Sequence, residues 1–174
     1  LLSEKSKFSL SLPGEICAVL DRGVFGFWRE EDLEVPDYEY TLQMGRNDIP
    51  EAGAVIWLTD EEDPELENSE KNVYKLFIHT VVSSDKINNI FTARSRRDAD
   101  CYRYGGMTRK TKKILCDAKL GKREKNARPV ICDGSGILWI PGFPVRDGAA
   151  HDTKKEAESA KNAKKLHIYF ASIK

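Results

Sequence analysis

The stretch PVICDGSGILWIPG, Pro129 to Gly142, holds two apolar runs joined by Asp133-Gly134-Ser135-Gly136. Short runs of β-branched and aromatic residues around a Gly-rich turn predict a β-hairpin. Outward from it the same pattern recurs. LHIYFASI (166–173) predicts a final strand, and INNIFTARSRR (87–97) predicts a strand upstream. The first half adds FSLSLP (8–13), GVFGFW (23–28), YEYTLQM (38–44), AVIWLTD (54–60) and VYKLFIHTVV (73–82). In the last, Tyr74, Leu76, Ile78 and Val82 fall on one face by the two-residue period, with Lys75 and His79 on the other. His79 therefore reads as a surface strand residue. TDEEDPELENSEKN (59–72) has no apolar pattern and reads as an exposed acidic loop. Helix is predicted over Thr108–Lys119, with Thr108 as N-cap and Ile114, Leu115 and Ala118 as its apolar face. DTKKEAESAKNAKK (152–165) also favours helix. The fold class that follows is α+β, mainly antiparallel β layers with a few packed helices.

The 174 residues are enough for one large domain or two small ones. They carry 28 Lys plus Arg against 28 Asp plus Glu. The neutral total hides two halves. Residues 1–90 hold 8 basic and 19 acidic residues, a net −11, and residues 91–174 hold 20 and 9, a net +11. The chain accordingly divides into an acidic, strand-rich part, 1–90, and a basic part, 91–174, that are continuous or separate domains. A basic half points to a polyanionic partner. No apolar run is long enough for a membrane span, and no signal peptide is visible, which points to a cytoplasmic protein. The chain starts at Leu1 without Met and reads as a piece of a longer protein. Cys17, Cys101, Cys116 and Cys132 form no C-x-x-C pair, so they read as reduced, mostly buried thiols and not as a zinc site.

The positive charge peaks in RRDADCYRYGGMTRKTKKI, Arg96 to Ile114, with seven Lys or Arg and two Asp. On the predicted helix, Arg109, Lys110, Lys112 and Lys113 crowd the first turns, the end where the helix dipole disfavours cations. A bound anion would relieve that conflict, and Gly105-Gly106 would let the backbone approach it. Arg94, Arg96, Arg97 and Arg103 lie close upstream, and Tyr102 and Tyr104 could stack on ribose or bases. Lys119, Lys122, Arg123, Lys125 and Arg128 extend the run. A long basic stretch without a G-x-x-x-x-G-K-[ST] loop suits many phosphates and not one mononucleotide. It favours nucleic acid read through phosphates and duplex shape. Asp98 and Asp100, flanked by arginines, read as salt-bridge partners. No catalytic constellation is present: His79, His151 and His167 stand in plain contexts, and neither G-x-S-x-G nor H-E-x-x-H occurs.

ARSRRDADCYRYGGMTRKTKKILCDAKLG followed by RPVICDGSGILWIPG resembles the C-terminal domain of bacterial tRNA(Ile)-lysidine synthetase. The match runs through Arg94, Arg96, Arg97, Asp100, Gly106, Met107, Lys112, Lys113, Pro129, Trp139, Pro141 and Gly142. It departs at Ala99, where the family has Gly. The resemblance implies a domain shared with the phenylalanyl-tRNA synthetase β subunit. It implies a parent ligase that uses ATP and Mg to join lysine to the wobble cytidine of a CAU-anticodon tRNA(Ile). The S-G-G-x-D-S loop of that chemistry is absent here, so this chain is expected to hold no cofactor, no metal and no catalytic residue. Its implied role is to bind the acceptor arm through Arg94, Arg96, Arg97, Arg103, Arg109, Lys110, Lys112, Lys113, Lys119 and Arg123. The alternative is a protein–protein interaction or self-assembly domain with no RNA ligand, and a homodimer is left open.

Overall fold

The computed structural model describes residues 8–21, 24–29, 31–64, 66, 76–84, 90–118, 120–150 and 165–172. Its strands are β1 (Phe8–Leu12), β2 (Ile16–Asp21), β3 (Val24–Arg29), β4 (Glu39–Leu42), β5 (Gly45–Ile49), β6 (Ala54–Thr59), β7 (Leu76–Ser83), β8 (Phe91–Arg94), β9 (Cys101–Tyr104), β10 (Met107–Lys110), β11 (Val130–Asp133), β12 (Gly136–Trp139) and β13 (Lys165–Ser172). Two short helices, α1 (Thr111–Asp117) and α2 (Lys122–Ala127), lie between β10 and β11. All strand pairs are antiparallel. The fold is α+β with few helical residues, as the sequence predicts.

Two four-stranded sheets, ordered β12-β11-β8-β4 and β5-β6-β13-β7, enclose the main core. That core joins Leu42, Phe91, Ala93, Ile131 and Leu138 of the first to Ile49, Ile56, Leu58, Val82, Ile168 and Phe170 of the second. β11 explains itself by this position. Ile131 faces the main core, while Val130 and Cys132 face a second cluster with Tyr102, Ile114, Leu115 and Ile140. A strand buried on both faces reads as a continuous apolar run and not as an alternation. The second cluster seats the β9–β10 hairpin and α1 on the outer face of the sheet, and so positions the basic residues.

The predicted hairpin is β11–β12, where Asp133 Oδ1 accepts the Ser135 N–H at 2.8 Å across the turn. The final strand, β13, lies at the centre of its sheet, paired to β7 along eight residues and to β6 along six. β5 was not predicted: Gly45-Arg-Asn-Asp-Ile49 is polar, as an edge strand can be. The first three strands form a separate antiparallel sheet.

The helix predicted from Thr108 starts instead at Thr111. Thr108 lies in β10, Lys110 takes the N-cap position, and no side chain caps that end. The reason is the turn. Gly105 and Gly106 both adopt positive φ, 60° and 78°, which suits a two-residue hairpin turn and pairs Met107–Lys110 with Tyr104–Cys101. The Thr111 N–H then donates to Asp100 O at 3.0 Å. The described part of the acidic loop is tied down: the Asp63 N–H donates to Tyr169 Oη at 3.0 Å, and Leu66 packs against the cluster that holds Trp57 and Tyr169. The helix predicted over 152–165 falls on residues outside those described, apart from Lys165, which opens β13. Of the cysteines, Cys17 and Cys132 are buried and Cys101 and Cys116 exposed, all four as free thiols. The "mostly buried" expectation thus holds for only two.

Candidate nucleic-acid interface

Strand alternation sorts the β9–β10 hairpin into two faces. Tyr102, Tyr104, Met107 and Arg109 share one, by register and period. Tyr102 is buried against the sheet and its hydroxyl donates to Pro144 O. Burial pushes its phenol well above the usual range. It therefore anchors the hairpin and is not a stacking platform. Tyr104 is half-buried, and the Arg109 guanidinium lies 5.8 Å above its ring. The other face carries Cys101, Arg103, Thr108 and Lys110, all exposed. Lys112 and Lys113 are exposed on the first turn of α1, directly after β10, and Arg123 is exposed on α2. Lys110, Lys112, Lys113 and Arg123 have no ion pair among the described residues.

The arginines upstream behave differently. Arg94 is buried and grips Asp100 with two bonds, 2.9 and 2.8 Å, with side chains only 10% and 9% exposed. Burial works against the Asp100 charge. The bonds from Arg94 and the Arg97 N–H, with the charge of both arginines, outweigh it and hold the carboxyl below its ordinary range. Arg94 is raised, first by its bond to Asp100. The pair fixes the loop from Ser95 to Ala99. Ala99 costs nothing there, because Glu15 is the only non-glycine with positive φ among the described residues. Arg96 pairs with Asp98 at 3.4 Å and Arg97 pairs with Glu39. Both line a groove of mixed sign with Asp37, Tyr38, Glu39, Ser95 and Asp98. The two aspartates are salt-bridge partners, as expected.

Of the ten cations singled out in the sequence, the structure thus gathers Arg103, Arg109, Lys110, Lys112 and Lys113 on the hairpin and α1. Arg123 stands on the neighbouring helix, and Lys125 of that helix reaches Cys116 of α1 at 3.6 Å. Arg94 is a buried structural anchor, Arg96 and Arg97 are engaged by acids, and Lys119 lies outside the described residues. The helix-dipole conflict shrinks to Lys112 and Lys113, since Arg109 and Lys110 are on a strand. The anion expected at Gly105-Gly106 is supplied from within: Asp147 accepts both N–H groups, at 2.8 and 2.9 Å. Asp147 and the Arg146–Asp133 pair, two bonds of 2.8 Å, escaped the sequence reading. Separations of 13 to 42 residues leave no local signal for either.

His79 is not a plain surface residue. It is half-buried, stacked 4.2 Å from the Tyr169 ring, with its Nε2 3.1 Å from His167 Nδ1. Among the described residues no three His, Cys, Asp or Glu side chains converge to hold a metal ion, and no helix is long and apolar enough to cross a membrane.

Residues 91–163 match the family described as the TilS substrate C-terminal domain. The tRNA(Ile)-lysidine synthase of Clostridium acetobutylicum is 32% identical over 138 residues, 75% of this chain and 28% of that protein. That of Clostridium tetani is 30% identical over 166 residues, 91% of this chain and 33% of that protein. The chain thus spans about a third or less of the relatives it matches. A crystal structure of a TilS C-terminal domain shares the fold, with a TM-score of 0.57 and 21% identity over 80% of this chain and 99% of that one.

Proposed function

The chain belongs to the C-terminal region of the tRNA(Ile)-lysidine synthases, and on that footing we propose that it is the tRNA-holding part of such a ligase. The parent enzyme uses ATP and Mg, bound outside these residues, to join lysine to the wobble cytidine of a CAU-anticodon tRNA(Ile). It works in the cytoplasm. This region grips the acceptor arm, so that the distant anticodon reaches the catalytic site.

The observation that carries this reading is the exposed cationic surface of the hairpin and α1, where Lys110, Lys112 and Lys113 have no acidic partner among the described residues. Duplex RNA presents phosphates and 2′-hydroxyls across a wide, shallow minor groove, and an exposed basic hairpin can follow such a surface by shape. Phosphate contacts of this kind fix register and orientation without reading sequence. The test is a fluorescence-anisotropy titration of the chain with an acceptor-arm minihelix and with an anticodon stem-loop, at two salt concentrations. Tighter, salt-sensitive binding to the minihelix is expected. Equal and negligible binding to both would overturn the reading.

A self-assembly reading is favoured by one observation. In β1–β3, Leu10, Ile16 and Phe27 share one sheet face and stay exposed, Leu10 at 56% and Phe27 at 63%. A homodimer burying that face would be seen as concentration-dependent light scattering, and a strict monomer would exclude it.

A further inference from the structure

Asp147 is an acid set beside the basic β9–β10 hairpin. Its N–H donates to Arg103 O at 3.0 Å, and its carboxylate accepts the Gly105 and Gly106 N–H groups at 2.8 and 2.9 Å. The same carboxylate lies 3.8 Å from the Arg103 guanidinium. Three hydrogen bonds therefore run from one residue to the tip of the hairpin. The residue before it is fixed just as firmly. The Arg146 N–H donates to Leu138 O at 2.9 Å, and its guanidinium grips the buried Asp133 carboxylate. A continuous line of bonds thus ties the β11–β12 hairpin, through Arg146 and Asp147, to the turn of the basic hairpin.

Two effects of this carboxylate on a polyanion have opposite sign. Its charge repels a phosphate nearby. Its bonds hold the backbone of the turn that joins β9, with Arg103, to β10, with Arg109 and Lys110, before any ligand arrives. Ordering a loop on binding costs free energy, so a hairpin whose turn is already held spends less of its contact energy on ordering. Surface repulsion is screened at physiological salt, whereas the two amide–carboxylate bonds are not lost to screening. We infer that Asp147 is a positioning residue for RNA binding: an acid whose removal weakens the hold on a polyanion. The inference rests on the RNA-binding reading of this surface.

The experiment compares the 174-residue chain with Asp147→Ala and Asp147→Asn. Each is titrated with the acceptor-arm minihelix across a salt series, and the Gly105 and Gly106 amides are followed by NMR. Positioning predicts roughly tenfold weaker binding for Ala, from the lost preorganisation. Asn keeps one acceptor without the charge, so it falls between Ala and wild type. The salt slope stays unchanged, because every cation is still present. The two glycine amide signals shift in Ala, while cooperative thermal unfolding persists. Unchanged or tighter binding by a folded Ala variant, or Asn behaving like Ala, would overturn the inference and leave the RNA reading intact. Failure of the wild-type chain to bind the minihelix would overturn the RNA reading, and this inference with it.

Discussion

At Asp100 a single residue joins three parts of the site. Its carboxylate takes both bonds of the buried Arg94 and accepts the Arg97 N–H at 2.8 Å, and its main-chain carbonyl accepts the first N–H of α1. Asp100→Asn leaves Arg94 charged and half-satisfied in the interior. Breaking a buried pair from one side costs about 3–5 kcal/mol, so a urea midpoint far below wild type is expected at pH 7. The pH dependence has a definite sign. The carboxyl is held below its ordinary value near ~3.9 in the folded chain, so it adds stability above that value and loses it as pH falls through the lower, folded one. The gap between wild type and Asp100→Asn should therefore narrow below about pH 4, as the unfolded carboxyl takes up its proton. A gap that stays constant from pH 7 to pH 3 would show that the pair contributes nothing through its charge. Arg94 also shows what sequence cannot weigh. In a run of arginines it looks like its neighbours, and only the register that buries it beside Asp100 separates an anchor from a phosphate contact.

At the scale of elements, the β9–β10 hairpin and α1 form one unit, and the cations on it divide the work. Lys112 and Lys113 are exposed on the first turn of α1, and replacing both by Ala removes two phosphate contacts if both reach the RNA. The slope of log affinity against log salt should then fall by about two, with binding weakened across all RNA sequences alike. An unchanged slope would remove these two lysines from the interface. Thermal stability should hold or rise slightly, because cations at a helix start are disfavoured there. No hairpin is predicted here from the sequence, although its turn chemistry is present. Cys-Tyr-Arg-Tyr and Met-Thr-Arg-Lys flank a Gly-Gly pair, which is turn chemistry for a two-residue loop. The helical run behind it, with Lys112, Ile114 and Leu115, draws the predicted helix start three residues too early. The Gly-Gly amides do hold an anion, as their setting suggests, but the anion is Asp147, 41 and 42 residues away. Non-local bonds of this kind leave no trace in a window of sequence, and neither does β5, whose polar residues suit an edge.

For the whole molecule, the division into a −11 half and a +11 half does not follow the sheets. β8 of the basic half has β4 of the acidic half as one of its two neighbours, and β13, nearly the last residues of the chain, lies between β6 and β7. The family match over residues 91–163 ends just before β13 begins at Lys165. That matched segment supplies β8, β11 and β12 but not the opposing sheet, whose Ile49, Ile56, Leu58, Ile168 and Phe170 close the main core. Adding β13 does not repair this, since both of its neighbours belong to residues 1–90. Each of those large side chains is worth about 1.5–3 kcal/mol of burial, against a net stability of about 5–15 kcal/mol for a domain. A fragment of residues 91–174 should therefore not fold alone. It should lack a cooperative thermal transition and dispersed amide signals, and it should bind the minihelix weakly and without preference over the anticodon stem-loop. Mixing it with residues 1–90 should restore both the transition and the preference. A well-dispersed spectrum from the basic half alone would mean that its sheet, the hairpin and α1 close a core of their own, and that the acidic half is an accessory to it.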